Sequence, residues 1–253
     1  MINDLQKASL TKRFSAWLLD AILLAIIAVG FALALSALLG FDGHVRTMED
    51  CYAKYEAQYS VSFDISEADY SALSENQKAN YDQAFQSLSS DPAAVYAYSM
   101  VMQLSVLITS LSILLAYLLL EFVVPLWLKN GQTPGKKVFS IAVMRTDGVQ
   151  LQPVALFVRT VLGKYAIETM IPVFMILMIF MGTVGILAPI AIGLIGVVQL
   201  VLLIATHTNS LIHDRLANTV VVDLSSQMIF RTPEELMAYQ QKIAAEKAAR
   251  SPY

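Results

Sequence analysis

From Phe14 to Leu39 the chain runs for 26 residues with a single charge, Asp20. That length crosses a bilayer as a helix, because the hydrocarbon core takes about 20 apolar residues. A carboxylate inside such a run costs about 2.5–3.5 kcal/mol on insertion scales, so it must meet protein or water in place of acyl chains. Arg13 stands seven residues earlier. Seven residues are almost two helical turns, so both side chains leave one face, about 10 Å apart along the axis. The fold must therefore bring polar partners against this face of the first helix.

Two further stretches are apolar enough to cross. Residues 101–128 supply the return span, beginning after the helix-start signal Asp91-Pro92. Residues 169–206 form a 38-residue apolar stretch, too long for one straight span and suited to two short ones, with Gly182, Gly185 and Pro189 marking the reversal. At 57% hydrophobic and 15% charged residues, the chain is more apolar than soluble domains.

Charge sets an orientation. Residues 41–99 carry ten acids against three bases, and residues 129–168 carry six bases against two acids. Lys and Arg mark the cytoplasmic side of short loops. The expected order is an N-terminus and first span (1–40), an acidic extracytoplasmic insert (41–99), a second span (100–128), a basic cytoplasmic segment (129–168) that includes Lys129, two spans (169–206), and a cytoplasmic tail (207–253). The fold class is an all-α polytopic membrane protein with four transmembrane helices, a small cytoplasmic β-hairpin and an extracytoplasmic helical insert.

The insert reads as helical, with Ser66 preceding Glu67 and Asp69 and a run through Leu88; seven of the eleven tyrosines fall in it. It is a cap on the outer membrane surface or a docking and cation-attracting vestibule. Lys137 to Met144, the turn Thr146-Asp147-Gly148 and Val149 to Pro153 predict the hairpin. Positions 154, 157, 158, 161, 162 and 165 form an apolar stripe with Arg159 and Lys164 off it, which predicts a basic helix lying in the inner interface. Thr232-Pro233-Glu234-Glu235 predicts the start of a C-terminal helix running to about Arg250.

Helix rise places Asp20, Glu121 and Gln199 at about 10–12 Å from the same side, with Tyr117 one turn from Glu121. This layer can hold a cation or proton between two carboxylates, one of which would then have a raised pKa. It can equally be a structural hydrogen-bonded or ion-paired contact between helices.

Other chemistries lack a signature. Cys51 is the single cysteine, so no intrachain disulfide forms, and it reads as a small buried residue. His207 and His213 are six residues apart and face different ways, so no metal site is expected. Gly131 to Gly135 lacks the spacing of a phosphate loop. No basic stripe carries interleaved aromatics for nucleic acid. No nucleophile and base stand at a recognisable spacing, so neither an enzyme nor a cofactor is expected.

Three segments resemble one known family. Arg13-Phe14-Ser15-Ala16-Trp17-Leu18-Leu19-Asp20 is similar to the opening R-x-x-A-x-x-x-D motif of the RDD family. Gln132-Thr133-Pro134-Gly135-Lys136-Lys137, followed by Ile141-Ala142-Val143 and Asp147-Gly148, resembles its G-x-T-x-G-K segment and hairpin. His213-Asp214-Arg215-Leu216-Ala217-Asn218-Thr219 resembles its terminal H-D-x-x-A-G-T motif. The family's arginine and two aspartates then correspond to Arg13, Asp20 and Asp214. Asn218 stands where the family has glycine, and asparagine tolerates the left-handed conformation that such a turn needs. The insert 41–99 is longer than in minimal members.

The resemblance implies a multi-pass bacterial membrane protein, and the charge bias of the loops puts both termini on the cytoplasmic side of the inner membrane. Some members resemble Na⁺(Li⁺,K⁺)/H⁺ antiporters, and a eukaryotic relative looks like a membrane scaffold. Two readings follow. In one, a monovalent cation exchanges for protons at Asp20 and Glu121, with Tyr117 and Gln199 in the same layer and an Arg13–Asp214 ion pair gating or clasping the inner face; four spans would then need a homo-oligomer. In the other, the chain is a scaffold or accessory subunit that docks a partner membrane protein through the insert or the C-terminal helix. The basic helix 154–167 leaves a third, handling of lipid or a lipid-linked substrate.

Overall fold

The computed structural model describes residues 6–128, 130–180 and 185–250. Lys129 and Gly182, used above for the basic segment and the reversal, lie outside the described residues. Four described helices are long and apolar enough to cross a membrane: α1 (Leu10–Leu39), α5 (Pro92–Leu128), α7 (Pro153–Phe180) and α8 (Leu187–Ala205). Between and after them come α2 (Phe41–Tyr59), α3 (Glu67–Ala72), α4 (Glu75–Ser90), α6 (Pro134–Val138), β1 (Ile141–Arg145), α9 (Ile212–Leu216), β2 (Thr219–Asp223) and α10 (Pro233–Arg250). The chain divides into two compact units, Met1–Ala28 with Ile113–Tyr253, and Val29–Ser112.

In the first unit, two prolines shape the spans. A π-type stretch occupies Leu118–Val123 of α5 and another Val158–Met170 of α7. Each ends two residues before a proline, Pro125 and Pro172. Proline lacks an N–H and pushes on the carbonyl four residues back, which breaks the regular ladder. The carbonyl four residues before Pro125 is that of Glu121, and Thr160 Oγ1 donates to it at 3.0 Å.

The expected interfacial helix is instead the first half of α7. The apolar positions Val154, Phe157 and Leu162 are exposed, while Arg159, Thr160 and Gly163 are buried. Surrounded by acyl chains, a helix turns its apolar residues outward and its charges inward, the reverse of a surface helix. The reversal of the chain lies between α7 and α8; Gly185 takes a left-handed φ of 49° there, and Pro189 falls in the first turn of α8.

The expected hairpin is also different. Residues 137 and 138 close α6, and β1 pairs antiparallel with β2, Ile141 opposite Asp223 and Arg145 opposite Thr219. The local turn survives as one bridge, Met144 to Gln150. The two strands belong to matching segments. In 134–145 and again in 212–223, a five-residue helix is followed two residues later by a left-handed residue and then a five-residue strand. The left-handed residues are Ser140 (φ 53°) and Asn218 (φ 51°), the latter as its sequence position predicts. Antiparallel pairing relates the copies by a local two-fold centred on Val143 and Val221. Chain segments cap both edges: Ala8 N donates to Val221 O of β2 at 3.1 Å, and Arg145 N of β1 donates to Val149 O at 3.0 Å.

The second unit is helical, as expected of the insert. Cys51, Tyr55, Leu88 and Ala94 form its core, with Tyr52, Tyr59 and Phe63 packed around them. The break between α3 and α4 comes from two successive capping boxes, at Ser66 with Asp69 and Ser74 with Gln77. Asp91 caps α5 by accepting from Ala93 N at 2.9 Å, and it also accepts from Tyr55 Oη at 3.0 Å.

Candidate functional site

The buried charge of the first unit falls into two clusters that share α1 and α7. The first is built around Asp20. Thr133 caps α6 and turns its hydroxyl to Asp20 Oδ2; Gly135 N donates to Asp20 Oδ1 at 2.8 Å. Only glycine fits at 135, because a Cβ there would stand 2.3 Å from Ala16 O and 2.8 Å from Asp20 Oδ1. The next residue, Lys136, sends its Nζ between the carboxylates, 3.6 Å from Asp20 Oδ2 and 3.6 Å from Glu121 Oε2, while donating to Thr133 Oγ1 at 3.0 Å. Lys164 Nζ donates to Glu121 Oε1. Two carboxylates thus face two ammonium groups. Burial pushes the Lys136 ammonium down to about 8, with Glu121 and Asp20 pulling the other way.

The second cluster is built around Asp214, which is 1% exposed. Arg159 donates to its Oδ1 from Nε at 3.1 Å and from Nη2 at 2.8 Å, and Thr219 Oγ1 adds a third bond at 3.2 Å. Arg13 Nη2 reaches Oδ2 at 3.3 Å and its Nη1 donates to Asn209 O at 2.6 Å. Burial alone would raise the Asp214 carboxyl, but His213, Arg159 and Arg13 together hold it below the usual carboxylate range. His213 N and Nδ1 face the Glu168 carboxylate at 3.0 and 2.8 Å. Burial pushes the His213 imidazole below its ordinary value, against the pull of Asp214 and Glu168. Helix α9 can lie this close to α7 because residue 163 is glycine, whose Cβ would come 2.5 Å from His213 Cβ.

Of the residues singled out in the sequence, Asp20 and Glu121 come together through Lys136, and the Arg13–Asp214 pair is present. Tyr117 and Gln199 go elsewhere. The Tyr117 hydroxyl bonds Thr169 Oγ1 at 2.8 Å, and Gln199 Oε1 accepts from Ile212 N at 3.1 Å. The Tyr117 hydroxyl therefore meets a residue of α7 in place of the Glu121 carboxylate. The sequence reading missed Lys136, Lys164 and Arg159 as partners. Their signal was position: an i→i+5 helix brings residues five apart, such as Arg159 and Lys164, towards one face. Among the described residues, no buried side-chain N or O atom lacks a hydrogen-bond partner, and no three His, Cys, Asp or Glu side chains converge as a metal site.

A family model matches residues 7–218, and it is that of the RDD family. No curated protein and no solved structure matches the chain. The matched segment covers most of the sequence and holds both buried clusters, from Arg13 and Asp20 through Lys136 and Arg159 to Asp214: the chain belongs to the RDD family.

Proposed function

We propose that this RDD-family membrane protein acts as a non-catalytic scaffold or accessory subunit, multi-pass in the bacterial inner membrane with both termini cytoplasmic. The observation that carries this reading is charge balance. Asp20 and Glu121 are offset by Lys136 and Lys164, Asp214 is held by Arg13 and Arg159, and Glu168 faces His213. A monovalent cation added to either group would leave an uncompensated buried charge, which is costly in a low-dielectric site. Two clefts, of about 240 Å³ beside Pro125 and Leu151 and about 160 Å³ beside Ser60 and Tyr81, include neither Asp20 nor Glu121 in their walls. Held this way, the charges tie α1, α5, α6, α7 and α9 into a fixed frame, and the insert and C-terminal helix remain to meet a partner membrane protein.

The test has two arms. In proteoliposomes, a Na⁺ or K⁺ gradient drives no proton movement with the wild type. In cells, deleting residues 45–95 leaves insertion intact and removes co-purifying proteins. Saturable cation-driven proton flux that Asp20→Asn abolishes would overturn the reading, as would an unchanged set of partners after the deletion.

One observation favours the exchange of a monovalent cation for protons as a second reading. Lys136 lies 3.6 Å from each carboxylate, outside hydrogen-bond reach of both. It occupies the position a cation would take, and exchange would require it to swing out as the ion enters.

A further inference from the structure

The two matching helix–strand segments have inward and outward sides of the same design. In α6, Gly135 and Lys136 are buried while Lys137 and Val138 are exposed; in α9, His213 and Asp214 are buried while Arg215 and Leu216 are exposed. Val138 is 66% and Leu216 47% exposed. Each helix therefore ends in an outward cation followed by an outward aliphatic side chain. Every other described base between Lys7 and Asp223 in this unit has a side-chain partner: Lys7 bonds a carbonyl, and the rest face carboxylates. Lys137 and Arg215 have none among the described residues.

Both helices also lie against the spans at one end. α6 is bonded to Asp20 of α1 and ion-paired to Glu121 of α5, and α9 follows α8 after six residues and is bonded to α7. At that same end Trp127 is 81% exposed near the close of α5, and Phe14 stacks near Trp17 with centroids 5.6 Å apart at the start of α1. Exposed tryptophan at span ends marks the headgroup level. A Lys or Arg there lays its stem along apolar surface and lifts its charge to the phosphates.

We propose that the outward faces of α6 and α9, through Lys137 with Val138 and Arg215 with Leu216, form a paired docking surface for anionic phospholipid headgroups of the leaflet on the sheet's side. The aliphatic residues enter the acyl boundary and the two cations meet phosphate, with no carboxylate among the described residues in ion-pair reach. Each cation near an anionic surface is expected to contribute roughly five-fold to the preference for anionic lipid.

The experiment is native mass spectrometry of the full chain extracted from mixed micelles of phosphatidylglycerol and phosphatidylcholine. The wild type retains phosphatidylglycerol over phosphatidylcholine by roughly ten-fold or more; Lys137→Gln with Arg215→Gln abolishes the preference, and Lys137→Arg with Arg215→Lys keeps it. Helical content and melting of the variants are read in parallel, and each single Gln variant is expected to fall between. Excess inorganic phosphate leaves the wild-type preference unchanged. Equal retention of both lipids by the wild type, an undiminished preference in the double Gln variant, or displacement by free phosphate would overturn the proposal.

Discussion

Arg159 Nη2 lies 2.8 Å from Asp214 Oδ1, nearer than Arg13 Nη2, which lies 3.3 Å from the other carboxylate oxygen. The arginine supplied by α7 therefore bears more of the buried aspartate's charge than the one in the opening motif. Removing one partner of a buried pair costs about 3–5 kcal/mol because the other charge is stranded. Arg159→Met is expected to lose stability towards that range, and Arg13→Met less, since the two shorter bonds from Arg159 then remain on Asp214. Thermal unfolding in nanodiscs measures both. Equal losses would mean that the two arginines share Asp214 evenly.

Close backbone approach at Gly135 and Gly163 gives a second prediction. A Cβ at 135 would sit 2.3 Å from Ala16 O, and one at 163 would sit 2.7 Å from His213 Cα. Both obstacles are backbone atoms, which cannot rotate away. Gly135→Ala and Gly163→Ala are each expected to cost about 1–3 kcal/mol, as overpacked interiors do. Gly193, with nothing within 4 Å of its built Cβ, is the control, and Gly193→Ala should be nearly neutral or slightly stabilising. A harmless Gly135→Ala would contradict the docking of α6 onto α1.

How much of this was legible beforehand varies by element. The burial of Asp20 follows from the cost of a carboxylate in an apolar run, and the helical insert follows from its caps. Arg159 and Lys164 are not legible as partners because the stripe at 154, 157, 158, 161, 162 and 165 reads as the bilayer face of an interfacial helix, which leaves both bases to water; within a span they turn inward to Asp214 and Glu121. The pairing of β1 with β2 was hidden because local turn signals at Thr146-Asp147-Gly148 favour a hairpin, whereas the true partner lies more than seventy residues on. The run Thr219-Val220-Val221-Val222 has strand-forming residues, and its two-residue offset from α9 matches that of β1 from α6. That repeat was the available signal.

Asp223 sets an acid limit. Lys12 and Ser225 bond its carboxylate and hold its pKa at about 2, down from an ordinary 3.8. A depressed carboxyl stabilises the fold above its unfolded pKa and loses that contribution as pH falls through the folded one. Asp223→Asn is therefore expected to flatten the stability profile between about pH 4 and pH 2 while leaving other pH dependence in place. Unfolding midpoints over pH 2–6 check this. An unaltered slope would show that the Lys12–Asp223 contact at 2.6 Å is not held in solution.

The left-handed residues close the two helix–strand copies, and they separate sterics from side-chain chemistry. Asn218 at φ 51° pays little for this conformation, whereas a β-branched residue would pay about 1–2 kcal/mol. Asn218→Gly is expected to be neutral or slightly stabilising, and Asn218→Val destabilising by that amount, read as unfolding midpoints. The same series at Ser140, φ 53°, should give the same order if the local two-fold is real.

The Glu121 carbonyl offers a test of the π-type stretch itself. Pro125 has no N–H to give it, so Thr160 Oγ1 supplies the donor at 3.0 Å from a neighbouring span. Thr160→Val keeps the shape of the side chain and deletes the donor, which leaves a buried carbonyl unpaired at a cost of about 1–3 kcal/mol. Pro125→Ala restores an N–H four residues beyond Glu121, so the helix can satisfy that carbonyl internally. The penalty of Thr160→Val is therefore expected to shrink by about 1 kcal/mol or more in the Pro125→Ala background, a coupling that a double-mutant cycle isolates. Additive effects would mean that proline and threonine act on the spans independently, and that Thr160 serves packing and not the carbonyl that proline frees.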